Sequence, residues 1–247
     1  MYVATVVESP IHGQYQLFRW LDFYLPKLKQ LNVNTICAIN NGSKNLPIDS
    51  FIDKYHIDSI PPKLNDEKLN FIYYPERLAR TALWSYPGLW RSIITMVKLA
   101  KHYQYDKFIY FEWDTFILSD KMLNDIASIK EGFVTYFSDM YRMPDACIMI
   151  CCKDQYDNIL NKVEGVDFSN NTDVNKTTEL FLPWTEVRRT MTGDRYTELN
   201  TPDKLDRIVM PKELDYVCQV YNNTKLIKLG DEHKFTTIEQ ELQKLNA

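Results

Sequence analysis

Two carboxylates one residue apart, Glu112 and Asp114, are the side chains best placed in this sequence to do chemistry. They follow the run Phe108-Ile109-Tyr110-Phe111, whose short length and β-branched and aromatic content predict a buried strand. A second apolar run, Phe116-Ile117-Leu118, comes directly after them. Acids held in apolar surroundings without partners are costly, because each charge loses its water. A divalent cation relieves that cost. Hard carboxylate oxygens suit Mg²⁺ or Mn²⁺, and such ions commonly share their sites with substrate phosphates. The competing reading is a strand exit whose acids simply face water. Arg77 and Arg80 add a second chemical signal, since a guanidinium matches phosphate oxygens in bidentate geometry.

The elements that must position these groups can be read in order. Residues 2–7 are β-branched and apolar and predict a strand ended by Glu8-Ser9-Pro10. Leu17, Leu21, Leu25, Leu28 and Leu31 recur at helical spacing, with Pro26 expected to kink or shorten that helix. Residues 33–39 predict a second strand, closed by the turn Asn40-Asn41-Gly42-Ser43. A short helix is expected over 47–55, a strand over 69–74, and a strong helix over 89–103 before the central strand. Ser119 is a candidate N-cap for a helix to residue 129. Strands are expected at 132–137 and 146–152, and a helix at 154–163. The polar stretch 167–176 predicts a mobile loop. Beyond it, helices are expected at 178–190 and 213–221, a strand at 225–229 and a last helix from Ile238.

This alternation predicts one α/β domain over 1–247, with a mostly parallel sheet covered on both faces. Ligands of such sheets sit beyond the carboxyl ends of the strands. Glu8, Asn40 and the Glu112/Asp114 pair all fall there.

Composition removes several alternatives. None of the 7 glycines forms a dinucleotide or Walker phosphate loop. There is no Gly-x-Ser-x-Gly elbow, and only 4 histidines are available to a triad. A net charge of −4 argues against a nucleic-acid partner. No apolar stretch is long enough to span a bilayer, and the start lacks signal-peptide character, so a cytoplasmic protein is expected. The 5 cysteines, odd in number and mostly in apolar runs, fit reduced buried thiols there. Cys147 with Cys151 and Cys152 lacks zinc-finger spacing.

The strand, the Asn-Asn-Gly-Ser turn, the helix bearing Trp90-Arg91-Ser92 and then Tyr110-Phe111-Glu112-Trp113-Asp114 together resemble a GT-A-fold glycosyltransferase. These enzymes carry an Asp-x-Asp signature, often varied to Glu-x-Asp, at the end of a central strand. The resemblance covers 1–118 most closely and implies a nucleotide-sugar-binding half there, with an acceptor-binding half over 119–247. It implies a GT-A-like, Rossmann-type, mostly parallel sheet flanked by helices. It also implies transfer of a sugar from a nucleoside diphosphate sugar to a carbohydrate or glycan acceptor, as in polysaccharide synthesis, with Mn²⁺ or Mg²⁺ on the acids. Thr5, Val6 and Glu8 would then flank base and ribose, and Asn40, Asn41 and Ser43 match the family's second-strand turn. Arg77, Arg91 and Trp113 join the donor-binding set, and His233 would complete the metal shell, with Asp231 or Glu232 as the alternative ligand. The base for the acceptor hydroxyl falls to Glu179, with Glu186 and Asp145 as alternatives. Leu180 stands where many relatives have a second acid, which leaves retaining or inverting chemistry open. The rival readings are a nucleotidyltransferase making nucleotide sugars, although its Gly-rich loop is missing, and a non-catalytic carbohydrate-binding protein of this fold.

Overall fold

The computed structural model describes residues 2–7, 13–42, 51–78, 86–139, 141–167, 177–195, 207–210, 214–219 and 225–228. In chain order the first half runs β1 (Tyr2–Val7), α1 (Gly13–Tyr24), β2 (Thr35–Asn40), β3 (Ile52–His56), β4 (Leu69–Tyr73), α2 (Pro87–His102) and β5 (Lys107–Phe111). Then come β6 (Phe116–Ile117), α3 (Asp120–Ser128), β7 (Phe133–Ser138), β8 (Met143–Cys152), α4 (Tyr156–Val163) and α5 (Thr178–Phe181). The short strands β9 (Glu186–Arg188), β10 (Gly193–Arg195), β11 (Arg207–Met210), β12 (Tyr216–Cys218) and β13 (Lys225–Lys228) follow.

The main sheet has the order β3-β4-β2-β1-β5-β8-β7-β9. Among its described strands only β8 runs antiparallel to its neighbours. The expected α/β architecture with a mostly parallel sheet is therefore present. Strands β2 and β5 are buried along their whole length, as a sheet covered on both faces requires. Side chains alternate across β5: Ile109 and Phe111 join Trp20, Tyr24, Met122 and Ile126, while Phe108 and Tyr110 join Ile93, Val97, Tyr156 and Ile159. One core thus lies under α1 and α3 and the other under α2 and α4. Two small sheets, β10-β12-β6 and β11-β13, complete the topology.

Local signals explain most boundaries. Leu17, Trp20, Leu21 and Tyr24 bury one stripe of α1. The helix tightens to a 3₁₀ turn at Leu25–Lys27, where Pro26 lacks the donor to continue it. Ser119 caps α3 by accepting from Met122 N at 3.2 Å. The other end of α3 is closed from the sheet: Lys107 Nζ donates to the carbonyls of Ile126, Ala127 and Ile129 at 3.0, 3.2 and 2.9 Å. Burial lowers that amine to about 8.

Three expectations fail, each where pairing with a distant strand overrides a weak local pattern. The helix expected over 47–55 is, for its described residues, the strand β3, in register with β4 from Ile52↔Leu69 to His56↔Tyr73. Asp53 fixes it there, pairing with Lys68 at 3.1 Å and accepting from Asn65 at 2.8 Å. The helix expected over 178–190 stops at Phe181, because Leu182 before Pro183 turns extended (ψ 140°) and Glu186–Arg188 joins the sheet edge as β9. The helix expected over 213–221 is instead, for its described residues, the strand β12 between β10 and β6. The stretch 168–176, Glu8, His233 and the expected terminal helix lie outside the described residues. Among the described residues no helix is long and apolar enough to cross a membrane.

Candidate active site

The chain leaves β1 for β2 on one side and returns as β5 on the other, so the sheet's topological switch point lies between β1 and β5. At such a point the connections diverge and leave a crevice beyond the carboxyl ends of the strands. Glu112 and Asp114 stand at the carboxyl end of β5, at this crevice.

Their turn is built from both directions. Glu112 N donates to Cys147 O at 2.9 Å, extending the β5–β8 pairing by one residue, and Thr115 N donates to Glu112 O at 2.9 Å to close the turn. Behind it, Tyr24 stacks on Phe111 with ring centroids 4.5 Å apart and planes at 9°. Its hydroxyl donates to Thr115 O at 2.9 Å and accepts from Ile117 N at 3.3 Å. Burial pushes this phenol well above its ordinary range, so it stays neutral and keeps the proton it donates. Helix α1 therefore braces the acidic turn.

Within the turn Asp114 is 2% exposed, whereas Glu112 and Trp113 are half-buried. The Cys147 thiol donates to Glu112 Oε2 at 2.7 Å. Asp145, wholly buried, accepts from Cys147 N at 2.9 Å through Oδ1. Asp145, Cys147 and Cys218 bring their ligand-type atoms within 4.8 Å of one another. From the rear, Asp215 carries the C-terminal segment: its carbonyl accepts from Leu118 N at 2.7 Å and its carboxylate from Ser119 Oγ and Thr192 N at 2.5 and 2.8 Å.

A second cluster forms at the carboxyl ends of β2 and β4. Tyr74 N donates to Asn40 O at 3.0 Å, and Asn41 Nδ2 donates to Leu78 O at 3.2 Å. The Arg91 guanidinium bonds Asn41 Oδ1 and, at 2.6 Å, Glu76 O, and it lies 3.9 Å over the Tyr74 ring. Gly42 has φ +77°, and a Cβ there would collide with the backbone of Arg77, so the two loops approach at a distance only glycine permits. Arg91 clasps these loops. Arg77 is exposed. A cavity of about 700 Å³ runs along α2 from Pro87 past Ile94 to His102, with Arg91 on its wall; its line leads away from the acidic turn.

The expected site residues thus separate into groups. Glu112, Asp114, Trp113 and Asp145 share the end of β5, while Asn40, Asn41 and Arg91 share the β2–β4 end. Thr5 and Val6 occupy β1 opposite Ala38 and Ile39. Glu179 sits on α5, whose Phe181 meets Trp90 edge to face at 5.1 Å, beside the first turn of α2 and so at the carboxyl edge of the sheet. Glu186 is elsewhere. It lies on β9, three inter-strand steps or about 14 Å from β5. Through Val134 and Ile150 it is level with Ile109 rather than with the strand end. There it is exposed and bound to Arg188 at 3.0 and 3.2 Å. Tyr24, Cys147, Cys218 and Asp215 carry no local signal of their role and become visible only in three dimensions.

No family model matches this chain, and no curated protein matches its sequence. Solved structures do. The galactosyltransferase LgtC, crystallised with donor and acceptor sugar analogs, superimposes with a TM-score of 0.51 at 9% identity, covering 100% of this chain and 95% of that one. An active-site mutant of LgtC gives 0.49 at 10% identity with the same coverage. A glycosyltransferase involved in glycosylation of the major capsid of PBCV-1 gives 0.41 at 9% identity, covering 100% of both chains. The chain has a GT-A-like glycosyltransferase fold, as the LgtC superposition shows.

Proposed function

We propose that this protein is a glycosyltransferase that moves a sugar from a nucleoside diphosphate sugar to a carbohydrate acceptor. The observation that carries the reading is the acidic turn Glu112-Trp113-Asp114 at the carboxyl end of β5, at the switch point of a GT-A-like sheet. The residues there fit a hard divalent ion: a nearly buried carboxylate and a half-buried one, both offering oxygen donors. Asp114 would be the principal ligand and Glu112 the second, and His233 would close the shell. Mn²⁺ or Mg²⁺ held there would supply charge that offsets the leaving diphosphate.

The chain's own residues do the rest. Tyr24 and the Cys147 carbonyl hold the turn in one shape, so that donor and acceptor meet in fixed orientation. Thr5, Val6 and Glu8 would flank the base and ribose. The loops clasped by Arg91 form the wall toward β2, with Asn40, Asn41 and Arg77 on the nucleotide side. Glu179 takes the acceptor proton; Asp145 is too deeply buried for that task and Glu186 too far from the turn.

Calorimetry with a panel of nucleoside diphosphates in the presence and absence of Mn²⁺ tests the donor site, and release of free sugar from the matching nucleotide sugar tests turnover. Metal-dependent binding of one nucleotide at micromolar level is expected. If no nucleotide binds more tightly than millimolar, the proposal fails.

A further inference from the structure

We propose that Asp145, Cys147 and Cys218 form a second metal site, selective for Zn²⁺ and separate from an ion held by Asp114 and Glu112. The site does not depend on the transferase reading. Asp145 and Cys147 lie two residues apart on β8, where its pairing with β7 shifts register, and Asp145 Oδ1 accepts from Cys147 N at 2.9 Å. Cys218 approaches from β12, which is tied to that region because β12 pairs with β6 directly after the acidic turn. The carboxylate and the two sulfurs lie within 4.8 Å of one another. All five cysteines of the chain are reduced thiols, so both sulfurs can serve as ligands.

A tetrahedral zinc with Zn–S near 2.3 Å and Zn–O near 2.0 Å holds its ligand atoms about 3.3 to 3.8 Å apart. Small side-chain rotations close the remaining gap without moving the strands. A water completes the tetrahedron, as in zinc sites with three protein ligands, and the half-buried Glu112, whose Oε2 accepts from Cys147 Sγ at 2.7 Å, lies beside it. Two thiolates with one carboxylate suit a borderline ion such as Zn²⁺ rather than Mg²⁺ or Mn²⁺, which prefer oxygen alone. Both thiols bind as thiolates, their protons passing to solvent.

Cobalt reports this geometry directly. Titration of the folded, full chain with Co²⁺ should produce an ultraviolet thiolate-to-cobalt band and intense visible tetrahedral bands that saturate at one equivalent. Zn²⁺ should abolish them and excess Mn²⁺ should leave them. Cys147→Ser and Cys218→Ser should each lower affinity at least about 100-fold. X-ray absorption at the zinc edge of the unaltered protein, which needs no variant to fold, should show two sulfur scatterers at about 2.3 Å. A cobalt complex without a thiolate band, a band undiminished in folded Cys218→Ser, or a zinc shell of light atoms alone would overturn the proposal.

Discussion

Replacing Tyr24 with Phe removes one oxygen and leaves the ring that stacks on Phe111. That oxygen makes two bonds to the backbone around the acidic turn, to Thr115 O at 2.9 Å and from Ile117 N at 3.3 Å. Both partners belong to buried residues, so water does not readily replace the lost hydroxyl. A buried polar group left unsatisfied costs about 1–3 kcal/mol, with the longer bond at the low end. Together they predict a loss of about 3 kcal/mol. For a chain of this size each kcal/mol shifts Tm by about 2–4 °C, so Tyr24→Phe should melt roughly 6–12 °C below the parent. Urea unfolding should show a lower midpoint with an unchanged slope, since the area exposed on unfolding is the same. Mn²⁺-dependent nucleotide affinity should fall with it, because the turn that carries Asp114 loses its rear brace. A stability change below about 0.5 kcal/mol, at the level of an ordinary surface substitution, would refute the claim that α1 holds the turn.

Other substitutions probe the remaining features. Asp114→Asn keeps the shape and removes the charge; it should abolish Mn²⁺-dependent nucleotide binding by calorimetry while circular dichroism stays unchanged, and Glu112→Gln should weaken binding less. Glu179→Gln should cut sugar transfer about 100-fold or more with donor affinity nearly intact, because a base acts in the transition state; equal transfer rates would remove it from the mechanism. Gly42→Ala forces a side chain onto the Arg77 backbone at positive φ and should destabilise by about 2 kcal/mol or more, read by denaturant unfolding. Lys107→Met should also destabilise, by uncapping α3. Since burial lowers the Lys107 amine from 10.5 to about 8, the unfolded chain holds that proton more tightly between those values. Parent stability should therefore rise with pH across that window, and the slope should be missing in Lys107→Met.

What the sequence made legible was whatever is encoded locally. The apolar runs of β2 and β5, the helical stripe of α2 and the Ser119 cap each specify an element before any tertiary contact forms. The acidic pair was readable for the same reason, as two charges at the end of an apolar strand. β3, β9 and β12 were not, because their extended state comes from β4, β7 and β6 rather than from their own few residues. The surroundings of the acids were hidden in the same way. Tyr24 meets Thr115 across 91 positions and Arg91 meets Asn41 across 50. Cys218 carries no spacing signal toward Cys147, so the usual search for closely spaced ligands passes it by.

The pairing of β6 with β12 also has a consequence in time. Phe116 and Ile117 leave the acidic turn as a short apolar strand whose partners, Val217 and Tyr216, are made about 100 residues later. At about 5–20 residues per second, a ribosome takes roughly 5–20 s to cover that interval. Through it the strands β1 to β5 can already be assembled, while β6 beside Glu112 and Asp114 stands uncovered. Maturation of the site is thus a late event of synthesis, and a chain truncated before Tyr216 carries both acids without the strand that seats their turn.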